Sequence, residues 1–111
     1  MKIHRLGIIM NGVTGRMGKN QHLMRSIVEI IKQGGVRISD NETIIPDPIL
    51  VGRNEARLKA LSELSGVEKY TTDLERVISD PAYEIYFDAQ TTGRRAEAVK
   101  LAASNGKHVY C

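Results

Sequence analysis

Leu6-Gly-Ile-Ile-Met-Asn-Gly-Val-Thr-Gly-Arg-Met-Gly18 joins a short apolar run to three glycines spaced G-x-x-G-x-x-G. Leu6 to Met10 predicts a buried strand, and a helix is expected to begin near Arg16. Between them, Gly12, Gly15 and Gly18 permit a sharp turn and leave no Cβ in the way of an approaching pyrophosphate. The first N–H groups of a helix lack intrahelical partners and carry partial positive charge, so an anion is stabilised there. Strand, glycine turn and helix start, in that order, predict a phosphate site and hence a nucleotide binder. Asn11 and Met17 belong to the same loop. Thr14 has two readings, a hydrogen bond to phosphate or a helix N-cap. Arg16 either reinforces the phosphate site or is solvated.

Outward from this loop, strand-like and helix-like segments alternate. The first helix is expected from about Arg16 to Gln33, stopped by Gly34-Gly35. Its apolar positions Met17, Leu23, Met24, Ile27, Ile30 and Ile31 suit one face. Val36–Ile38 and Thr43–Ile45 flank Ser39-Asp-Asn-Glu42 and read as a small hairpin inserted before the second strand, with Pro46-Asp-Pro48 ending the insertion. Ile49–Val51 is then strand two. Asn54 caps a second helix that carries Leu58, Leu61 and Leu64 on one stripe and ends at Gly66. Val67–Tyr70 is a third strand. Thr72 or Asp73 caps a third helix with Leu74, Val77 and Ile78, stopped at Asp80-Pro81. Ile85–Phe87 is strand four, Arg94 to Ser104 a fourth helix, and His108–Tyr110 strand five. This alternation predicts an α/β Rossmann-type fold: a doubly wound parallel sheet of order 3-2-1-4-5, with helices on both faces and a ligand across the C-terminal ends of strands one and four.

Bulk properties narrow the function classes. The 111 residues fit one domain, here 1–111 as a dinucleotide-binding unit. No apolar run approaches the roughly 18–20 residues of a membrane span. The apolar run after the basic start is broken by Asn11-Gly12, which argues against a signal peptide and for a cytoplasmic protein. One cysteine, Cys111, excludes an internal disulfide framework. Net charge is +3 with aromatics at 5%, and the basic residues are scattered, so no nucleic-acid surface or membrane partner is expected. His4, His22 and His108 show no metal-ligand spacing and are read as structural or solvated.

The end of strand two bears on which dinucleotide is preferred. An NAD site usually holds a carboxylate there for the ribose 2′-OH. This chain has Val51-Gly-Arg-Asn54, and its first carboxylate, Glu55, already lies in the helix. Arg53 offers a planar fork for a 2′-phosphate, with Asn54 beside it, so NADP is favoured and NAD admitted. The alternative is a solvated Arg53 and a purely capping Asn54. Gln90, Thr91 and Thr92 follow strand four and either line the nicotinamide side or cap the fourth helix. Asp88 is read as a turn residue. The sequence shows no nucleophile–base pair, so no catalytic residue and no metal ligand is assigned.

The chain resembles the nucleotide-binding domain of the glucose-fructose oxidoreductase / inositol dehydrogenase (Gfo/Idh/MocA) family over nearly its whole length. The resemblance is carried by the glycine loop, Val51-Gly-Arg-Asn54 with its leucine-striped helix, Thr71-Thr-Asp-Leu74, and above all Ala102-Ala-Ser-Asn-Gly-Lys-His-Val-Tyr-Cys111. In the family that last element is normally followed by Glu-Lys-Pro, whose lysine is catalytic, and by a sheet-rich domain with the substrate contacts. Both would lie beyond Cys111. The G-x-x-G-x-x-G loop, the Gly35–Pro48 insertion and Gln90-Thr-Thr92, where the family often has Thr-Pro-Asn, depart from its usual pattern. The resemblance implies an oxidoreductase moving a hydride between a nicotinamide cofactor and a sugar, polyol or related secondary alcohol, inactive as these residues alone. Strand five, with an open outer edge, is where copies of the chain would associate as a homo-oligomer. Two other readings remain: a non-catalytic dinucleotide-binding or regulatory module, and a fragment like dihydrodipicolinate reductase, whose loop Gly12–Gly18 also resembles.

Overall fold

A computed structural model of the chain describes residues 2–12, 17–89 and 92–110, and for residues 17–24 and 92–94 the backbone only. The elements, in chain order, are β1 (Lys2–Asn11), α1 (Met17–Lys32), β2 (Val36–Ser39), β3 (Glu42–Val51), α2 (Glu55–Ser65), β4 (Tyr70–Thr71), α3 (Leu74–Ile78), β5 (Tyr83–Asp88), α4 (Thr92–Ser104) and β6 (His108–Tyr110). The parallel strands run β4-β3-β1-β5-β6, and β2 adds to β3 antiparallel. This is the doubly wound order expected from the alternation, with the inserted hairpin on its outer side.

Two apolar layers flank the sheet. Ile8, Met10 and Leu50 pack with Ile27 of α1 and with Leu58 and Leu61 of α2. Ile9, Ile49, Val51 and Tyr86 pack on the other face with Val77 and Ile78 of α3 and Ala98 and Ala102 of α4. Alternate residues of β1 therefore serve opposite layers, as a strand's period of two requires. A strand with helices on both faces reads as a continuous apolar run, which is why Leu6–Met10 announces itself.

The structure extends that run and corrects its neighbours. β1 starts at Lys2, and its exposed first half pairs with residues 42–45 of β3. The backbone ladder, not side-chain burial, holds Lys2–Arg5 extended, so no hydrophobic pattern signals it. The second hairpin arm and strand two are one strand, β3, which runs straight through Pro46 and Pro48. The Val51 carbonyl accepts from Gly12 of the loop after β1, while the Leu50 N–H donates to Lys69 on the β4 side. Even-numbered residues of β3 thus face away from β1. Both prolines are even-numbered and fall between the last pair with β2, at Ile44, and the first with β4, at Leu50. Their missing N–H groups point to a stretch of edge where no ladder bond is lost.

Helix ends follow the glycines. The Gly35 N–H reaches the Ile30 carbonyl and the Gly34 N–H the Ile31 carbonyl, closing α1 with both glycines at φ near +95°. Asn54 and Asp73 cap α2 and α3 through their side-chain oxygens. Three further differences concern α2, β4 and α4. Leu64 is 69% exposed, unlike Leu58 and Leu61. Successive steps of three residues each fall about 60° short of a full turn, so the third leucine has rotated off the buried face. The third strand is only Tyr70–Thr71, because Val67 turns inward to the core instead of extending the ladder. α4 begins at Thr92, two residues before the expected start.

Among the described residues, no helix is long and apolar enough to cross a membrane. Lys69 forms a salt bridge with Asp47 at 2.9 Å, and this hydrogen bond raises its pKa above the ordinary value. The pair ties β3 to the approach of β4, and the small contribution that the raised Lys69 pKa makes to stability is lost in alkaline solution, as Lys69 deprotonates.

Candidate functional site

The winding of the sheet reverses between β1 and β5, whose following helices α1 and α4 lie on opposite faces, and a doubly wound sheet has its crevice at such a point. Its floor is made of three strand exits. Asn11 ends β1, Val51 ends β3 and Asp88 ends β5, in mutual register across the sheet. Backbone bonds carry the alignment past the strands. The Gly12 N–H donates to the Val51 carbonyl at 3.0 Å, and the Ala89 N–H donates to the Asn11 carbonyl at 2.9 Å. Gly12 then turns the chain with φ +79°, a conformation that favours glycine. α1 begins at Met17, with Gly18 in its first turn. Gly12 after β1 and the start of α1 at Met17 thus bracket the stretch where the sequence reading expects the phosphate site.

Of the loop residues assigned to the cofactor, Thr14, Gly15 and Arg16 lie outside the described residues, as do Gln90 and Thr91 on the opposite rim. Thr92 opens α4, with its backbone placed at that rim. Arg53 is exposed and immediately follows the β3 exit and the buried Gly52. Asn54 is exposed as well, and its Oδ1 accepts from the Arg57 N–H at 3.1 Å. The side-chain oxygen of Asn54 is thus engaged as the α2 cap. Asn54→Ala is expected to cost about 1 kcal/mol of stability, read from the urea midpoint, and Asn54→Asp to keep the cap.

Asn11 and Asp88 sit where a polar side chain is unexpected. Asn11 is 2% exposed and Asp88 1%, in the layer that also holds Ile9 and Val51. The Asn11 amide donates to the Tyr86 hydroxyl at 2.8 Å, and that hydroxyl donates to Asp88 Oδ2 at 2.6 Å. Arg95, in the first turn of α4, places its Nε 3.7 Å from Asp88 Oδ1. This corrects the reading of Asp88 as a turn residue. It is the last residue of β5, its carboxylate is buried, and a phenol and a guanidinium share it. Sequence reasoning missed Tyr86 and Arg95 altogether. The signal available was Tyr86-x-Asp88, two polar-tipped side chains on one face of a strand otherwise read as apolar.

The His4 ring lies 3.2 Å from Glu42, at the exposed start of β1 and at the opposite end of that strand from the crevice. No cluster of three metal-ligating side chains occurs among the described residues.

No family model matches the sequence. Over 103 residues, 93% of the chain, it is 47% identical to a D-xylose dehydrogenase of Paenarthrobacter nicotinovorans. The relatives matched over this stretch are Gfo/Idh/MocA oxidoreductases, as the sequence resemblance implies. The chain spans 26% of the D-xylose dehydrogenase's length. A probable dehydrogenase from Thermotoga maritima superposes on 96% of the chain with a TM-score of 0.68 at 26% identity, the match covering 27% of that protein. A levoglucosan dehydrogenase, in complex with NADH and levoglucosan, superposes with a TM-score of 0.69 at 22% identity, over 96% of this chain and 27% of its own. At that identity the second likeness speaks for the fold. The stretch that the Gfo/Idh/MocA proteins share with this chain is the one holding the glycine turn and the crevice.

Proposed function

We propose that this chain is the NAD(P)-binding part of a sugar oxidoreductase, in which a hydride passes between the nicotinamide and a secondary alcohol of a sugar or polyol. The observation that carries the reading is the Gly12 turn at the winding switch of a parallel sheet, in a chain 47% identical to a D-xylose dehydrogenase. The residues fit a dinucleotide. Gly12 and Gly18, with Gly15, give the pyrophosphate a backbone surface at the start of α1, and the β3 exit receives the adenosine ribose. When bound, the nicotinamide ring supplies the hydride chemistry. The protein's part is to bind, orient and keep the two halves of the cofactor apart across the sheet.

The neighbouring levoglucosan dehydrogenase holds NADH, and both dinucleotides are admitted here. Arg53 favours NADP, since it is the exposed cation at the β3 exit and no carboxylate lies between the end of β3 and Glu55. A charge-assisted hydrogen bond contributes about 1.5–3 kcal/mol, a preference on the order of 10–100-fold. Isothermal calorimetry of the unmodified chain and Arg53→Ala with both cofactors tests this. Arg53→Ala is expected to abolish the preference while leaving NAD affinity within about twofold. Equal affinities in the unmodified chain refute the assignment.

The substrate surface and the proton-transferring group belong, on this reading, to the three quarters of the relatives' length that the chain does not span, where the lysine after Cys111 would fall. The 111 residues alone are then inactive toward sugars. Cytoplasmic residence and association of copies through the open β6 edge, where Tyr110 is 58% exposed, complete the proposal.

A further inference from the structure

Asn11, Tyr86 and Asp88 are buried, polar and joined by hydrogen bonds at 2.8 and 2.6 Å. One hydroxyl proton is available to Tyr86, and the carboxylate takes it. The phenol oxygen is then left to accept from the Asn11 amide, which fixes the orientation of that amide. The second carboxylate oxygen faces Arg95. The arrangement therefore joins three parts of the crevice rim. Asn11 directly precedes the Gly12 turn, Asp88 directly precedes Ala89, and Arg95 stands in the first turn of α4. The layer around them is apolar, and apolar side chains of similar size would satisfy packing alone. A buried chain of hydrogen bonds from Asn11 through Tyr86 to Asp88 holds one geometry against alternatives.

We propose that Asn11, Tyr86 and Asp88 are positioning residues for the dinucleotide, setting the separation between the glycine turn and the first turn of α4. The inference rests on the proposed cofactor function. The side-chain bonds of the network run from Asn11 to Tyr86 and Asp88, on the β1–β5 side of the crevice and away from Arg53 beyond the β3 exit. Loss of the network should weaken the grip on a whole dinucleotide and spare a ligand that occupies only the adenosine end.

The test compares NADP, NAD and adenosine 2′,5′-bisphosphate on the full chain and on Tyr86→Phe by calorimetry. Tyr86→Phe is expected to lower both dinucleotide affinities by about 5- to 10-fold and alike, with the bisphosphate changed less than about twofold. Equal losses for all three ligands, or no loss for any, overturn the proposal. Should Tyr86→Phe fail to fold, Asp88→Asn serves instead. It keeps an acceptor for the phenol and removes the charge facing Arg95. The same split between dinucleotide and bisphosphate is expected, and its absence overturns the proposal. Failure of the unmodified chain to bind any dinucleotide refutes the cofactor function itself and is read before any variant.

Discussion

Gly7→Ala is expected to destabilise the chain by at least about 3 kcal/mol, and Gly7→Val to prevent folding. Gly7 lies in β1 where the register against β5 shifts, between the pairs Gly7–Tyr83 and Ile8–Ile85. A Cβ there would overlap the Ala82 carbonyl oxygen and stand 2.8 Å from the Tyr83 Cα and 2.9 Å from the Ala82 carbonyl carbon. Those atoms are backbone, so no rotamer change relieves the contact and the central strands must separate. A domain of this size has only about 5–15 kcal/mol of stability to lose. Gly66→Ala is the control. Gly66 has φ +82° with nothing within 4 Å of an added Cβ, so only the backbone cost of about 1–2 kcal/mol applies. Urea denaturation followed by circular dichroism compares the two. Similar midpoints for both variants would contradict the close approach at Gly7.

Leu58→Ala is expected to cost about 2–5 kcal/mol and Leu64→Ala less than about 0.5 kcal/mol. Leu58 is fully buried against β1 and β3 and shares its cluster with Met10 and Leu50. Truncation there leaves a cavity under α2, the helix whose cap follows Arg53. Leu64 instead borders the shallow cleft between α1 and α2 beside Val28 and Arg25, open to water. Sequence spacing alone treats the two leucines as equivalent. Thermal denaturation distinguishes them, and comparable losses in melting temperature would mean that α2 is rotated from its position here.

The parallel order was legible because each crossover leaves a helix-length polar-and-apolar pattern between apolar runs, and chain sense then fixes the handedness. Caps at Asn54 and Asp73 and the stop at Gly34-Gly35 were legible because local chemistry decides them. β3 was not. Two prolines ordinarily end a strand, and only the knowledge of which neighbour each face of β3 meets shows that both are harmless. The exposed start of β1 was invisible for a related reason, since its partner is a backbone contributed by the same hairpin. At the site, the glycine turn could be read from spacing, but the Asn11–Tyr86 contact joins residues 75 apart in the chain. Such a contact follows from register, and register follows from the whole sheet.

The central claim is that a dinucleotide lies across the C-terminal ends of β1, β3 and β5. Backbone amide NMR shifts during titration with NADP test it most directly. The account predicts saturable shifts at Gly12, Gly52 and Ala89, around the three strand exits, with Ile3, Thr43 and Ala82 at the other end of the sheet unmoved. Shifts clustered around Ile3, Thr43 and Ala82, or none at saturating NADP, would contradict it.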